Sequence, residues 1–265
     1  MSGTENLRVE RRGHTMVVTM DRPEKKNALS TPMLVGMADA WVDADRDPEV
    51  RSIVLTGAGG DFCTGMDLAA FSAGSTDNRY DQRRREDPDL HWKALLRHYQ
   101  PAKPLIAAVE GYAVAGGTEI LQATDIRVAG ESATFGVFEA RRGLFPLGGS
   151  TVRLRRQIPF TVAMDLLLTA RAIDAAEALR IGLIGRVVPD GTALDAALET
   201  AELINANGPL AVEAIKRSVR ETEGLSEIDG LARELEIGSP IFETADAKEG
   251  ALAFVERRPA VFTRS

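Results

Sequence analysis

The chain has few of the residues on which several kinds of protein depend. It contains one cysteine, so no internal disulfide can form, and its three histidines show no metal-ligand spacing with each other or with Cys63. No apolar run approaches the ~18 residues of a membrane span. The net charge of −7 argues against binding to nucleic acid or to an anionic membrane. These absences predict a cytoplasmic protein without a bound metal.

The pattern of apolar residues along the chain predicts an α/β fold. Short apolar runs such as "RSIVLTG" and "KPLIAAV" are typical of buried strands, and segments with helical periodicity lie between them. One helix is expected to be capped by Thr31, with Pro32 in its first position. Only helical patterns follow the last strand-like run. We therefore predict a core at residues 1–191 and a helical region at residues 192–265.

Two familiar site motifs are excluded by their spacing. Gly57, Gly59 and Gly60 follow a strand, but Phe62 stands where a dinucleotide-binding loop requires its last glycine. Ser150 is not a nucleophile elbow, since the residue two places later is not glycine. Neither a nucleotide loop nor a serine nucleophile is expected.

Two glutamates, Glu119 and Glu139, lie in apolar, glycine-rich surroundings. A carboxylate in such a place costs free energy unless it is paired or used, although Glu119 alone can equally be an acid stabilised by a helix dipole. The run "AVAGGTEI" places Gly116 where a strand gives way to a helix, whose first N–H groups can bind a developing oxyanion. A second glycine turn, ending at Met66, could supply another N–H group to the same oxygen.

Several motifs occur together in one order along the chain. They are "DRPEKKNALS", "IVLTGAGGDFCTGMDL", "KPLIAAVEGYAVAGGTEILQATDIRVAGESATFG", "GLFPLGGSTVRL" and "KEGALAFVERRPAVF". In combination they resemble the crotonase (enoyl-CoA hydratase/isomerase) superfamily over nearly the whole chain. The resemblance implies a spiral of ββα units and a helical C-terminal region that builds homotrimers, which often pair into hexamers. It also implies an acyl-CoA thioester ligand, with no cofactor beyond the coenzyme A of the substrate.

The resemblance also implies roles for individual residues. The backbone N–H groups of Met66 and Gly116 form the oxyanion hole, Glu119 acts mainly as base, and Glu139 is the acid that protonates C2. Further residues are expected around the CoA thioester, with a basic side chain of the tail at the 3′-phosphate: Ala28, Thr64, Asp67, Leu68 and Arg257. Asp67 is also interpreted as a helix cap rather than a catalyst.

Three residues depart from the family pattern. Met66 stands where alanine is usual, Ala115 replaces the first glycine of a triplet, and Phe138 replaces a proline before the second acid. The charged stretch at residues 72–92 lies where the family varies its acyl pocket, so the acyl chain is left open.

Several functions are compatible with these residues. Both glutamates are present, which favours an enoyl-CoA hydratase or the reverse dehydratase. The alternatives are an enoyl-CoA isomerase, which needs only one acid/base group, another acyl-CoA lyase of the same family, and a non-catalytic acyl-CoA-binding paralogue, in which the loss of a glutamate would be expected.

Overall fold

The computed structural model describes residues 3–69 and 79–265. Its strands form a six-stranded sheet, in the order β1-β2-β3-β4-β6-β9, and a three-stranded sheet, in the order β5-β7-β8. The strands are β1 (Leu7–Arg12), β2 (Thr15–Met20), β3 (Ser52–Gly57), β4 (Leu105–Val109), β5 (Tyr112–Val114), β6 (Ile126–Gly130), β7 (Thr134–Gly136), β8 (Ile173–Asp174) and β9 (Arg186–Val188).

Helices lie between these strands and after the last of them. In chain order they are α1 (Thr31–Arg46), α2 (Arg79–Glu86), α3 (Leu90–Ala94), α4 (Gly116–Leu121), α5 (Ser150–Gln157), α6 (Phe160–Thr169), α7 (Ala175–Arg180), α8 (Ala193–Asn205), α9 (Pro209–Glu221), α10 (Glu227–Gly238) and α11 (Ala245–Glu256). Residue ranges that form short 3₁₀ helices are Pro23–Lys25, Glu139–Arg142 and Ser239–Glu243.

The central strands of the large sheet, β2, β3 and β4, are buried on both faces. Apart from the antiparallel pair β1-β2, its neighbouring strands are parallel. Ile53 and Leu55 of β3 belong to the core cluster that contains the buried face of α1, whereas Val54 packs with the alanines of α8. Because side chains alternate along a strand, continuous apolar runs are needed where both faces are covered.

These observations confirm the predicted α/β core and the helices that follow it. The cap of α1 was predicted wrongly by one residue: the Ser30 hydroxyl, not that of Thr31, accepts the hydrogen bond from the Met33 N–H. Helix α8, the first beyond residue 192, covers one face of the sheet. The division into regions at residues 191 and 192 stays a prediction.

Two kinds of feature are absent from the described ranges. No helix in residues 3–69 and 79–265 is long and apolar enough to cross a bilayer. The same ranges contain no group of His, Cys, Asp or Glu side chains that could hold a metal ion.

Candidate active site

The first site turn connects β5 to α4. Its central residue, Ala115, has φ 50° and ψ −126°, a backbone conformation that normally favours glycine. The Ala115 N–H donates to the Gly136 carbonyl over 2.7 Å, and the Thr118 hydroxyl also donates to that carbonyl, over 3.0 Å. These bonds fix the start of α4 against β7, and the helix begins with Gly116.

The second turn approaches the first through Gly65. It is held against Leu29, whose N–H donates to the Gly65 carbonyl over 2.8 Å. Gly65 has φ +86°, and a Cβ built on it would lie 2.8 Å from the Gly116 nitrogen. A Cβ built on Gly116 would lie 3.7 Å from the Met66 nitrogen. The backbone nitrogens of Met66 and Gly116 therefore lie near each other.

Neither of these N–H groups donates to another protein group within residues 3–69 and 79–265. The N–H of Gly116 is one of the first in α4, where helical N–H groups lack partners within the helix. Met66 is 43% exposed, whereas Gly116 is buried. Two unpaired donors from different segments can bind one oxygen between them, as the sequence predicts.

Glu119 lies in the first turn of α4 and is only 5% exposed. Its two carboxylate oxygens accept hydrogen bonds from the backbone of a following loop, one from the Gly148 N–H over 3.0 Å and one from the Ser150 N–H over 3.1 Å. Burial raises the pKa of Glu119, and these N–H donors oppose the rise because they stabilise the charged form.

Glu139 begins a 3₁₀ helix immediately after Phe138, which takes the N-cap position. Its Oε2 atom is buried and has no hydrogen-bond partner among the described residues. Burial, with a further contribution from the negative charge of Glu119, raises the pKa of Glu139 to about 7. Phe138 in place of the expected proline therefore still leaves the second acid within electrostatic reach of the first.

The two acids are consequently prepared for opposite roles. The hydrogen bonds to Glu119 favour its ionised form, whereas Glu139 has no such donors at Oε2 and holds a proton more readily. Because the two groups interact, their protons leave in steps that belong to the pair. The arrangement can offer a base and an acid together near neutral pH.

Three of the residues expected around the thioester lie beside the second turn. Ala28 is half-buried, and its carbonyl accepts a hydrogen bond from Arg22 over 3.3 Å. Thr64 is half-buried and donates to the Lys26 carbonyl over 3.2 Å. Leu68 is 46% exposed. Their roles in binding stay predictions.

Asp67 and Arg257 have different surroundings. The Asp67 carboxylate pairs with Arg22 over 2.7 Å and accepts the Ala69 N–H over 3.1 Å, a pattern typical of an aspartate that begins a turn. Arg257 ends α11 with φ 55°, and its side chain is exposed. Residues 72–78 of the stretch assigned to the acyl pocket lie outside the described residues.

Sequence reasoning missed the loop that binds Glu119. The glycine pair in "PLGGST" was considered only as a nucleophile motif and as part of the family pattern. A Cβ on Gly148 would lie 2.5 Å from Oε2 of Glu119, and Gly149 has φ +123°. The glycine pair was thus the available signal, but its partner 29 residues away could not be read from the sequence.

Comparison with known proteins identifies the class to which this fold and site belong. The family model described as enoyl-CoA hydratase/isomerase matches residues 10–265, so the chain belongs to that family. The chain is 56% identical to "Enoyl-CoA hydratase EchA19" of Mycobacterium tuberculosis, with 98% of this chain and 97% of that protein covered. It is 35% identical to "Carnitinyl-CoA dehydratase" of Salmonella arizonae, with 96% and 97% covered. A crystal structure of enoyl-CoA hydratase from M. tuberculosis H37Rv has a TM-score of 0.89 and 42% identity, with 98% and 99% covered. The predicted crotonase fold is confirmed by this likeness.

Proposed function

We propose that the protein is an enoyl-CoA hydratase, a lyase that adds water to the double bond of a 2-enoyl-CoA thioester. One observation carries the proposal. Two glutamates lie in the chain segments that follow two unpaired N–H groups. Glu119 is buried and accepts two hydrogen bonds as a carboxylate, and Glu139 is half-buried with a pKa of about 7. The names of the relatives support the same reaction class.

The barrier to hydration is the negative charge that gathers on the thioester oxygen as water attacks C3. The N–H groups of Met66 and Gly116 would stabilise this charge, and each such donor is worth about 2.7–4 kcal/mol. Glu119 would remove a proton from the attacking water, and Glu139 would deliver a proton to C2. Both groups return to their first states after a proton passes between them, so no cofactor is consumed.

The same groups can catalyse the reverse dehydration of a 3-hydroxyacyl-CoA. By microscopic reversibility, Glu139 would then take the proton from C2, and Glu119 would protonate the departing hydroxyl. The relative named a carnitinyl-CoA dehydratase gives this direction specific support. A double-bond isomerisation is disfavoured because it leaves one of the two acids without a role.

The proposal is tested by replacing each acid with its isosteric amide. Glu119→Gln and Glu139→Gln should each lower kcat by orders of magnitude while acyl-CoA still binds. The double variant should fall far short of the product of the two losses, because the acids act as a unit. Glu131→Gln is the control, since Glu131 is exposed. Hydration is followed by the loss of conjugated-thioester absorbance with crotonyl-, decenoyl- and branched enoyl-CoA.

Two outcomes would contradict the assignment. Near-wild-type turnover in either single variant would remove that glutamate from the mechanism. A folded wild-type protein that binds CoA but leaves every enoyl-CoA unchanged would instead support a non-catalytic acyl-CoA-binding protein.

The proposed assembly is a homotrimer, or a hexamer formed by two trimers. Apolar side chains remain exposed along the C-terminal helices, for example Leu231 at 56%, Leu235 at 69% and Phe242 at 79%. Exposed apolar surface of this extent marks an interaction site. Light scattering of the full chain tests the proposal, and a monomer would refute it.

A further inference from the structure

The loop at residues 147–150 binds Glu119 mainly through its backbone N–H groups, and the Ser150 side chain adds a hydrogen bond to the same carboxylate. Its Gly148 and Ser150 N–H groups each donate to one oxygen of the Glu119 carboxylate. The loop can do this only if its own carbonyl groups are held in the opposite direction. Two arginines hold them: Arg97 lies in the segment after α3, and Arg153 lies on α5, the helix that begins at the end of the loop.

Arg97 is connected to Glu119 through a single peptide group. Its Nη1 donates to the Leu147 carbonyl, and the N–H of that same peptide, which belongs to Gly148, donates to Glu119. A hydrogen bond from a cation polarises the peptide and strengthens the bond that its N–H makes. Two hydrogen bonds of this one peptide group therefore connect Arg97 to the Glu119 carboxylate.

Arg153 holds the next peptide of the loop. Its Nη1 donates to the Gly148 carbonyl over 3.0 Å, and its Nη2 donates to the Leu96 carbonyl over 2.6 Å. The guanidinium lies against Gly149, where an added Cβ would be 3.0 Å from Nη1. Arg153 therefore fastens the loop to the segment that follows α3, and its planar fork allows one side chain to bind two carbonyls.

The charge of Arg153 also acts directly on the site. Burial lowers the pKa of Arg153, with a further contribution from Arg220, and the charge of Glu119 opposes both effects. Glu139 also interacts with Glu119 through its charge, whereas Arg97, Arg220 and Glu223 interact with Arg153.

We propose that Arg97 and Arg153 are positioning residues that keep Glu119 ionised and oriented while Glu139 holds the proton, an inference that rests on the proposed hydratase function. They act through the 147–150 loop. Without them, the loop would lose both carbonyl contacts and Glu119 would compete with Glu139 for the shared proton.

The test compares Arg153→Met and Arg97→Met with Arg155→Met, which removes an exposed arginine from the same helix as Arg153. We expect kcat to fall by about 10- to 100-fold in the first two variants, because a displaced base is poorly aligned. KM should change by less than about twofold, since the removed contacts do not bind substrate. Arg155→Met should behave as the wild type.

The pH profile gives a readout that a merely structural role would not move. A base must be ionised, so activity is lost as the pH falls through its pKa. Removing a nearby positive charge raises that pKa, so the acid limb of kcat/KM should move upward by roughly one unit. Arg153→Lys keeps the charge but not the fork, and should restore the acid limb while recovering only part of kcat.

A second measurement keeps the inference separate from the proposed function. The pKa of Glu119 can be followed by ¹³C NMR of glutamate-labelled protein, with Glu119→Gln to assign the signal. If the wild type hydrates no enoyl-CoA, the proposed function fails, but a raised Glu119 pKa in the methionine variants still supports the positioning role. An unchanged Glu119 pKa in folded Arg97→Met and Arg153→Met overturns it. If Arg153→Met does not fold, the Glu119 pKa in Arg97→Met, which replaces an exposed side chain, tests the positioning role instead.

Discussion

Gly65 occupies a position where one added methyl group should close the oxyanion hole. A Cβ there would lie 2.8 Å from the Gly116 nitrogen and 2.9 Å from the Ala115 Cβ. We expect Gly65→Ala to cover the Gly116 N–H group and remove it from the developing oxyanion. Loss of one such donor costs about 2.7–4 kcal/mol of transition-state stabilisation, which corresponds to a fall in kcat of about 10²- to 10³-fold.

Gly60 supplies a matched control for the backbone effect of this substitution. Gly60 and Gly65 have φ values of +85° and +86°, but no atom lies within 4 Å of a Cβ built on Gly60. Both alanines must adopt a left-handed conformation, at a cost of about 1–2 kcal/mol each. Thermal melting measures the strain that the two substitutions share. The rate of enoyl-CoA hydration measures the further effect of covering the Gly116 N–H group, which only Gly65→Ala should have. Equal kcat values in two folded variants would refute the Gly116 N–H group as an oxyanion donor.

Three further predictions follow from other parts of the site. Burial raises the pKa of Glu139 from 4.5 to about 7, so its contribution to stability is full below pH 4.5 and is lost as the pH rises through 7. Glu139→Gln should therefore gain thermal stability relative to the wild type between pH 5 and pH 8, and an unchanged difference would contradict the raised pKa. Ala115→Gly should raise the melting temperature, because relief of about 1–3 kcal/mol of strain exceeds the entropic cost of glycine of about 0.5–1 kcal/mol; a lower melting temperature would disprove this. Arg257→Ala should weaken the binding of CoA more than that of 3′-dephospho-CoA, as measured by calorimetry. The control Arg258→Ala breaks an ion pair with Glu249 and should weaken the two ligands equally. Equal weakening of the two ligands by Arg257→Ala would exclude a contact with the 3′-phosphate.

The large sheet could be predicted because its strands carry a strong local signal. β3 and β4 are continuous apolar runs, as burial of both faces requires. β5 and β7, by contrast, have three residues each, too few to display any period, and neither was predicted. The cap of α1 also escaped prediction, since Ser30 and Thr31 both carry a hydroxyl and only the backbone geometry selects between them.

The departures from the family pattern show a second limit of prediction from sequence, because the effect of a substitution can depend on a backbone angle. Ala115 replaces a glycine of the family pattern, and its φ of 50° places a side chain in a conformation that favours glycine. Backbone dihedrals at a turn between β5 and α4 depend on the elements that the turn connects, and no local property of alanine reveals them. Replacement of glycine by alanine can be judged only where the backbone angle is known.

The opposite protonation states that we propose for the two acids are set by the groups around them. Burial raises the pKa of Glu119 and Glu139 alike, and two like charges at close range are not both ionised without cost. The first charge therefore settles where hydrogen-bond donors are available, and the backbone of the 147–150 loop offers them to Glu119. Since a side chain at Gly148 would collide with that carboxylate, the glycine is as necessary to the base as the glutamate itself. The proposed assignment of acid and base is consequently a property of the loop, and any residue that moves the loop should alter the pH dependence of the proposed reaction before it alters substrate binding.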